Sequence, residues 1–152
     1  MHLRHNTQRY GDHSDIMKTG KFLMSGVAAG VVILVLSQAM QLIVASIMPY
    51  NVLTLAGMRS VNDPIMILFF LHPFVLGLAM AYAYQHIVGS LKGNEVSKGT
   101  SFGALMWLVV SVPSAFLVWS SMNYPIGFTV SSIIGGLLYM LAAGILIAKM
   151  SK

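Results

Sequence analysis

The chain has 152 residues, of which 57% are hydrophobic and 9% charged, and its formal net charge is +5. Soluble chains carry about 25% charged residues, so a mean hydropathy of +0.78 excludes an ordinary soluble domain and calls for lipid around the apolar surface. There is no cysteine, which removes disulfides, thiolate metal sites and cysteine nucleophiles. The basic residues sit in tails and loops without a base-reading module, so nucleic acid is not an expected partner.

Residues 1–21 read as a polar tail on the cytoplasmic side, with a short helix capped by Ser14 ahead of the membrane. His2, His5 and His13 lie here in a spacing that fits no zinc motif. Residues 22–152 read as one transmembrane domain. Its first span covers about residues 22–48. A signal-peptide apolar region is about 7–15 residues long, so this much longer run reads as a retained helix. At 1.5 Å per residue it exceeds the ~30 Å hydrocarbon core and should tilt or protrude.

Pro49 to Asp63 forms the first outer loop, and its VLTLAGM stretch suits a short interfacial helix. Arg59 and Asp63 stand four residues apart, within pairing reach if that stretch is helical. Asn62 or Asp63 can cap the second span, about residues 64–88, with Pro64 in the first helical position. Residues 90–100 read as an inner loop with Lys92, Glu95 and Lys98, after which Thr100 or Ser101 caps the third span, about residues 102–119. Residues 120–125 form an uncharged outer turn, and the fourth span covers about residues 126–148.

The predicted fold is therefore all-α: a polytopic four-transmembrane-helix bundle of two hairpins in the cell (cytoplasmic) membrane. With both termini inside, eight Lys and Arg face the cytoplasm and only Arg59 faces out, so the positive-inside rule selects N-in/C-in. A faint repeat relates Lys18–Phe22 to Lys98–Phe102 at the entry to each hairpin. The pattern resembles small four-span membrane proteins of prokaryotes, a likeness of architecture that carries no mechanism.

Turning each helix by 100° per residue groups its small and polar residues on one side. In the first span these are Gly26, Gly30, Ser37 and Gln41, with Gln38 at the edge; in the second, His72, Ala79, Ala83 and His86. The third contributes Gly103, Ala104, Trp107, Ser111, Ser114 and Ala115, and the fourth Thr129, Ser132, Gly136, Tyr139 and Ala143. Close packing and interhelical hydrogen bonds drive association in lipid, so these faces should meet. Gly26, Gly30, Ala79, Ala83 and Gly136 are the expected packing residues.

Gln38, Gln41, His72, Ser111, Ser114, Thr129 and Ser132 fall in the outer half, where Pro73 and Pro113 each deprive a carbonyl of its donor. A closed hydrogen-bond network is the first expectation for this layer. The alternative is an outward-opening pocket with Arg59 and Asp63 at its mouth.

No span holds an Asp, Glu, Lys or Arg, which disfavours a proton pump. HExxH, GxSxG and Walker motifs are missing. Twelve methionines raise soft-metal transport, yet no dense Met-x-x-Met run supports it, and neither cofactor nor metal is expected. The first functional reading is a non-catalytic interaction or accessory subunit, as a homo-oligomer or in a larger membrane complex. The second is a carrier of a small solute, lipid or metal that uses the pocket around His72.

Overall fold

The apolar runs form helices, the form in which a segment satisfies its backbone polar groups internally, as one crossing lipid must. The structure, a computed structural model, describes the backbone of residues 5–151 and the side chains of residues 20–151. Helix α1 spans His5–Ile47. Helix α2 spans Met66–Ile87 and closes in a 3-10 turn, Val88–Ser90. Helix α3 covers Glu95–Ser121 and α4 Ile126–Met150. Each of the four is long and apolar enough to cross a membrane, and the described residues contain no strand.

Several boundaries differ from the sequence reading. Helix α1 runs through Ser14 without a break, so no separate capped helix precedes the span. The side chains of His2, His5, His13, Ser14 and Lys18 lie outside the described residues. Helix α3 begins about two turns before the expected start. Its cap is Asn94, whose side chain accepts the Ser97 N–H at 2.9 Å, while Thr100 and Ser101 lie inside the helix. Glycine and lysine had marked residues 95–100 as loop. Gly99 instead serves as a helical contact point, and the true reversal is at Gly93, where φ is +93°.

In the first loop the expected interfacial helix shrinks to one 3-10 turn, Val52–Thr54, capped by Asn51. Asp63 organises the entry to α2: its carboxylate accepts the Ile65 N–H at 2.9 Å and pairs with Arg59 at 2.9 Å. That pair forms although the intervening residues are a turn rather than a helix.

Consecutive helices run antiparallel, and the strongest packing pairs α1 with α2, α3 with α4, and α1 with α4. The order in space is thus α2–α1–α4–α3. Each hairpin closes on a glycine seam. A Cβ on Gly77 would strike the Gly26 carbonyl oxygen and lie 2.5 Å from the Gly30 nitrogen. In the second hairpin a Cβ on Gly103 would strike the Met140 carbonyl, and one on Gly99 would lie 2.5 Å from the Ile145 Cα. Gly26–Gly30 and Gly99–Gly103 therefore play the same part, a register that does not align Phe22 with Phe102 as the expected repeat did.

On α2 the packed face is Pro73, Gly77, Met80, Ala81 and Tyr84. Ala79 is exposed and Ala83 half-buried. The face expected from His72, Ala79, Ala83 and His86 is rotated away from the seam because a lone histidine, not the glycine, had set its direction. The tightest core lies at the lysine-rich end, where Met80, Tyr84, Phe102 and Met140 are each at most 2% exposed. The rings of Tyr84 and Phe102 meet edge-on at 5.2 Å and join α2 to α3 there.

Candidate functional site

Away from that core the helices change character. Helix α3 carries a π turn at Trp107–Ser111, and α4 carries one at Ser131–Gly135. Pro113 lacks the N–H that its helix position requires, and the wide turn just before it accommodates the break. In α4 the residues are Ser131, Ser132, Gly135 and Gly136, poor helix formers that hold the α geometry weakly. A π turn widens the backbone and recurs at functional sites. The two turns face each other through a hydrogen bond from the Trp107 Nε1–H to the Ile133 carbonyl, at 2.9 Å.

Three cavities converge beside these turns. One, of about 240 Å³, lies between α2 and α3 with α4 as its floor; His72, Val110, Ser111, Ser114 and Tyr139 line it. A second, of about 300 Å³, lies between α1 and α2 and holds Gln38, Gln41 and His72 on its walls. A third, of about 130 Å³, contains Ser37, Gln41 and Tyr139. Phe128, Ser132 and Tyr139 border all three. His72 separates the first two, exposed to both, and Thr129 lines the first.

The polar side chains here are satisfied locally rather than across helices. The Ser132 hydroxyl donates to the Phe128 carbonyl at 2.8 Å, Ser114 to Val110 at 2.7 Å and Ser37 to Leu34 at 3.0 Å. Each lies within its own helix. Among the described residues no hydrogen bond engages the side chains of Gln38, Gln41 or His72. The closed network expected for this layer therefore reduces to one interhelical link, from Trp107 to Ile133. The amides and the imidazole face open space.

Arg59 and Asp63, expected at the mouth, line none of the three cavities. Val52, Leu55 and Met58 of the same loop cover the second cavity instead. The Tyr124 hydroxyl fastens that loop by donating to the Ala56 carbonyl at 3.1 Å. The Ile65 N–H first, and Arg59 second, hold the Asp63 carboxyl below its usual value, so both residues are accounted for by the turn they stabilise.

Of the packing glycines, Gly26 and Gly30 sit on the α1–α2 seam, and Gly136 lies against Ser111, whose Oγ would be 2.8 Å from an added Cβ. Tyr139 was placed on the polar face of the fourth span though not among the candidate ligand residues, and Phe128 is the site residue that sequence reasoning passed over. Tyr139 was recognisable as the one phenol on the polar face of α4. Phe128 gave no signal, because a phenylalanine in an apolar span resembles every other.

No charged side chain lines these cavities. The described residues include no group of three or more His, Asp or Glu placed to hold a metal. The groups on offer are two carboxamides, an imidazole, a phenol and hydroxyls, among Phe, Val and Leu. No protein-family model, curated protein or solved structure matches the chain.

Proposed function

We propose that this protein is a non-catalytic membrane binding protein or carrier whose ligand is an uncharged amphiphile. The observation that carries this reading is the pair of cavities flanking His72, with Gln38, Gln41 and Tyr139 presenting hydrogen-bonding groups to the space between helices. A neutral head with carbonyl or hydroxyl groups meets those donors and acceptors. A buried ionised head would lack a counter-charge there. Phe69 and Phe70 on the wall of the second cavity offer apolar surface to a tail that shares the helices' lipid environment.

The chain lies in the cytoplasmic membrane with both termini inside, supported by eight of its nine Lys and Arg on the side of the tails and the α2–α3 loop. The native chain's lack of cysteine makes single-cysteine labelling clean. Asn123→Cys should react with an impermeant maleimide added to intact cells, and Ser151→Cys should react only after lysis. The opposite pattern would refute the orientation.

The functional test is mass spectrometry of the protein extracted in native lipid. A small neutral molecule should co-purify with the wild-type chain and be lost from His72→Leu and Tyr139→Phe while both remain folded. Stoichiometric partner chains with no small molecule would replace this reading by that of an accessory subunit.

A further inference from the structure

At the opposite end of the bundle all four helices border a second kind of cavity, of about 420 Å³. Lys21 and Phe22 of α1, Tyr84 and Val88 of α2, and Glu95 and Lys98 of α3 line it. The Met80–Phe102–Met140 core separates it from the cleft around His72, so it is a distinct site. Its two lysines outnumber its one carboxylate, and Lys21 and Glu95 each already interact within the protein. Lys98 is half-buried and stands in no ion pair among the described residues.

Tyr84 supplies the second observation. It is 2% exposed, it lines this cavity, and among the described residues no hydrogen bond engages its hydroxyl. Its hydroxyl is not sealed from solvent, and the residue stands on the wall of this cavity. A phenol hydroxyl with no protein partner at a cavity wall is free to donate to an acceptor that enters the cavity.

We propose that this vestibule binds a phosphate ester. Lys98 and Lys21, on different helices, carry the anion's charge from two sides, and the Tyr84 hydroxyl donates to a phosphate oxygen. Phe22 and Val88 receive the carbon part. The volume fits a head group rather than a bare ion, and lysine-bearing pockets between helix ends are suited to phosphate heads at a membrane surface. A lipid head group and a soluble ester share this chemistry.

The full-length chain in phosphatidylcholine nanodiscs containing phosphatidic acid, read by native mass spectrometry, tests the site. A calorimetric titration with glycerol 3-phosphate forms the second arm. Lys98→Gln should lower retention of phosphatidic acid about fivefold, and Tyr84→Phe should lower it by a similar factor. Lys98→Arg should bind like wild type, as should Lys92→Gln, which alters a lysine outside the vestibule. Phosphatidic acid bound without glycerol 3-phosphate identifies a lipid source. Glycerol 3-phosphate binding with the same variant pattern identifies a soluble one. If Lys98→Gln does not fold, Tyr84→Phe carries the comparison. A wild-type chain that binds neither probe overturns the proposal, as does a loss of equal size in Lys92→Gln and Lys98→Gln or a Tyr84→Phe variant that binds like wild type.

Discussion

Helices α3 and α4 behave differently at their two ends. Near the lysine-rich end they approach until a single Cβ on Gly103 would enter the Met140 carbonyl. About one turn further on, both depart from α geometry and stand beside a cavity of about 240 Å³. The same contrast holds in the first hairpin, where Gly26, Gly30 and Gly77 close one end while Gln38, Gln41 and His72 border a cavity at the other. Lipid supplies no hydrophobic force between helices. Contact therefore depends on backbones that can come close, and glycine permits that where serine and glutamine do not. Hydroxyls that return to their own helix add little across the gap.

The contrast predicts where the bundle breaks. Gly103→Leu should have the largest effect, because the clash is with backbone and no flexible side chain can yield. Overpacking of this kind costs about 1–3 kcal/mol and sometimes more, so unfolding titrations should show a large loss or no folded protein. Ser132→Ala, at comparable depth on the cleft, should change stability by well under 1 kcal/mol, since the lost bond is within its own helix. Equal losses at the two positions would abolish the distinction between a packed end and an open one.

The packed end was half legible in the sequence. GxxxG at Gly26–Gly30 announced close approach, and the four spans followed from length and hydropathy. Gly103 stood on the expected face of the third span, but Gly99 was hidden because its lysine and threonine neighbours looked like loop. Gly77 was overlooked because His72 had been taken to set the facing side of α2. The open end was legible as a list of polar residues and illegible as a geometry. Pro113 signalled a disturbed helix, yet whether freed groups pair with one another or face a cavity depends on how helices separate, which spacing along one chain does not encode.

A smaller effect should separate the interhelical link of the open end from its local bonds. Trp107→Phe keeps most of the ring and removes the 2.9 Å bond to the Ile133 carbonyl. Interhelical hydrogen bonds in membranes average about 0.6 kcal/mol, so stability should fall by roughly that amount. The π turn on α4 should loosen with it, read as faster amide exchange at residues 131–135. Unchanged exchange would mean that α4 holds its wide turn without help from α3.

The smallest effect lies outside both ends, at the entry to α2. The Asp63 carboxyl is held below its ordinary value of 3.8, first by the Ile65 N–H and then by Arg59. A lowered folded value means the carboxylate form is favoured by folding, so its contribution is present at neutral pH. It is lost as pH falls below 3.8 through the lower folded value. The stability difference between wild type and Asp63→Asn should therefore be seen at pH 7 and shrink under strong acid. Because the backbone donor comes first, Arg59→Gln should leave the Asp63 carboxyl still titrating below 3.8 by NMR. A return to that value would transfer the capping role from the turn to the ion pair. It would also make this loop, which covers the cavity beside His72, dependent on salt, as exposed ion pairs are.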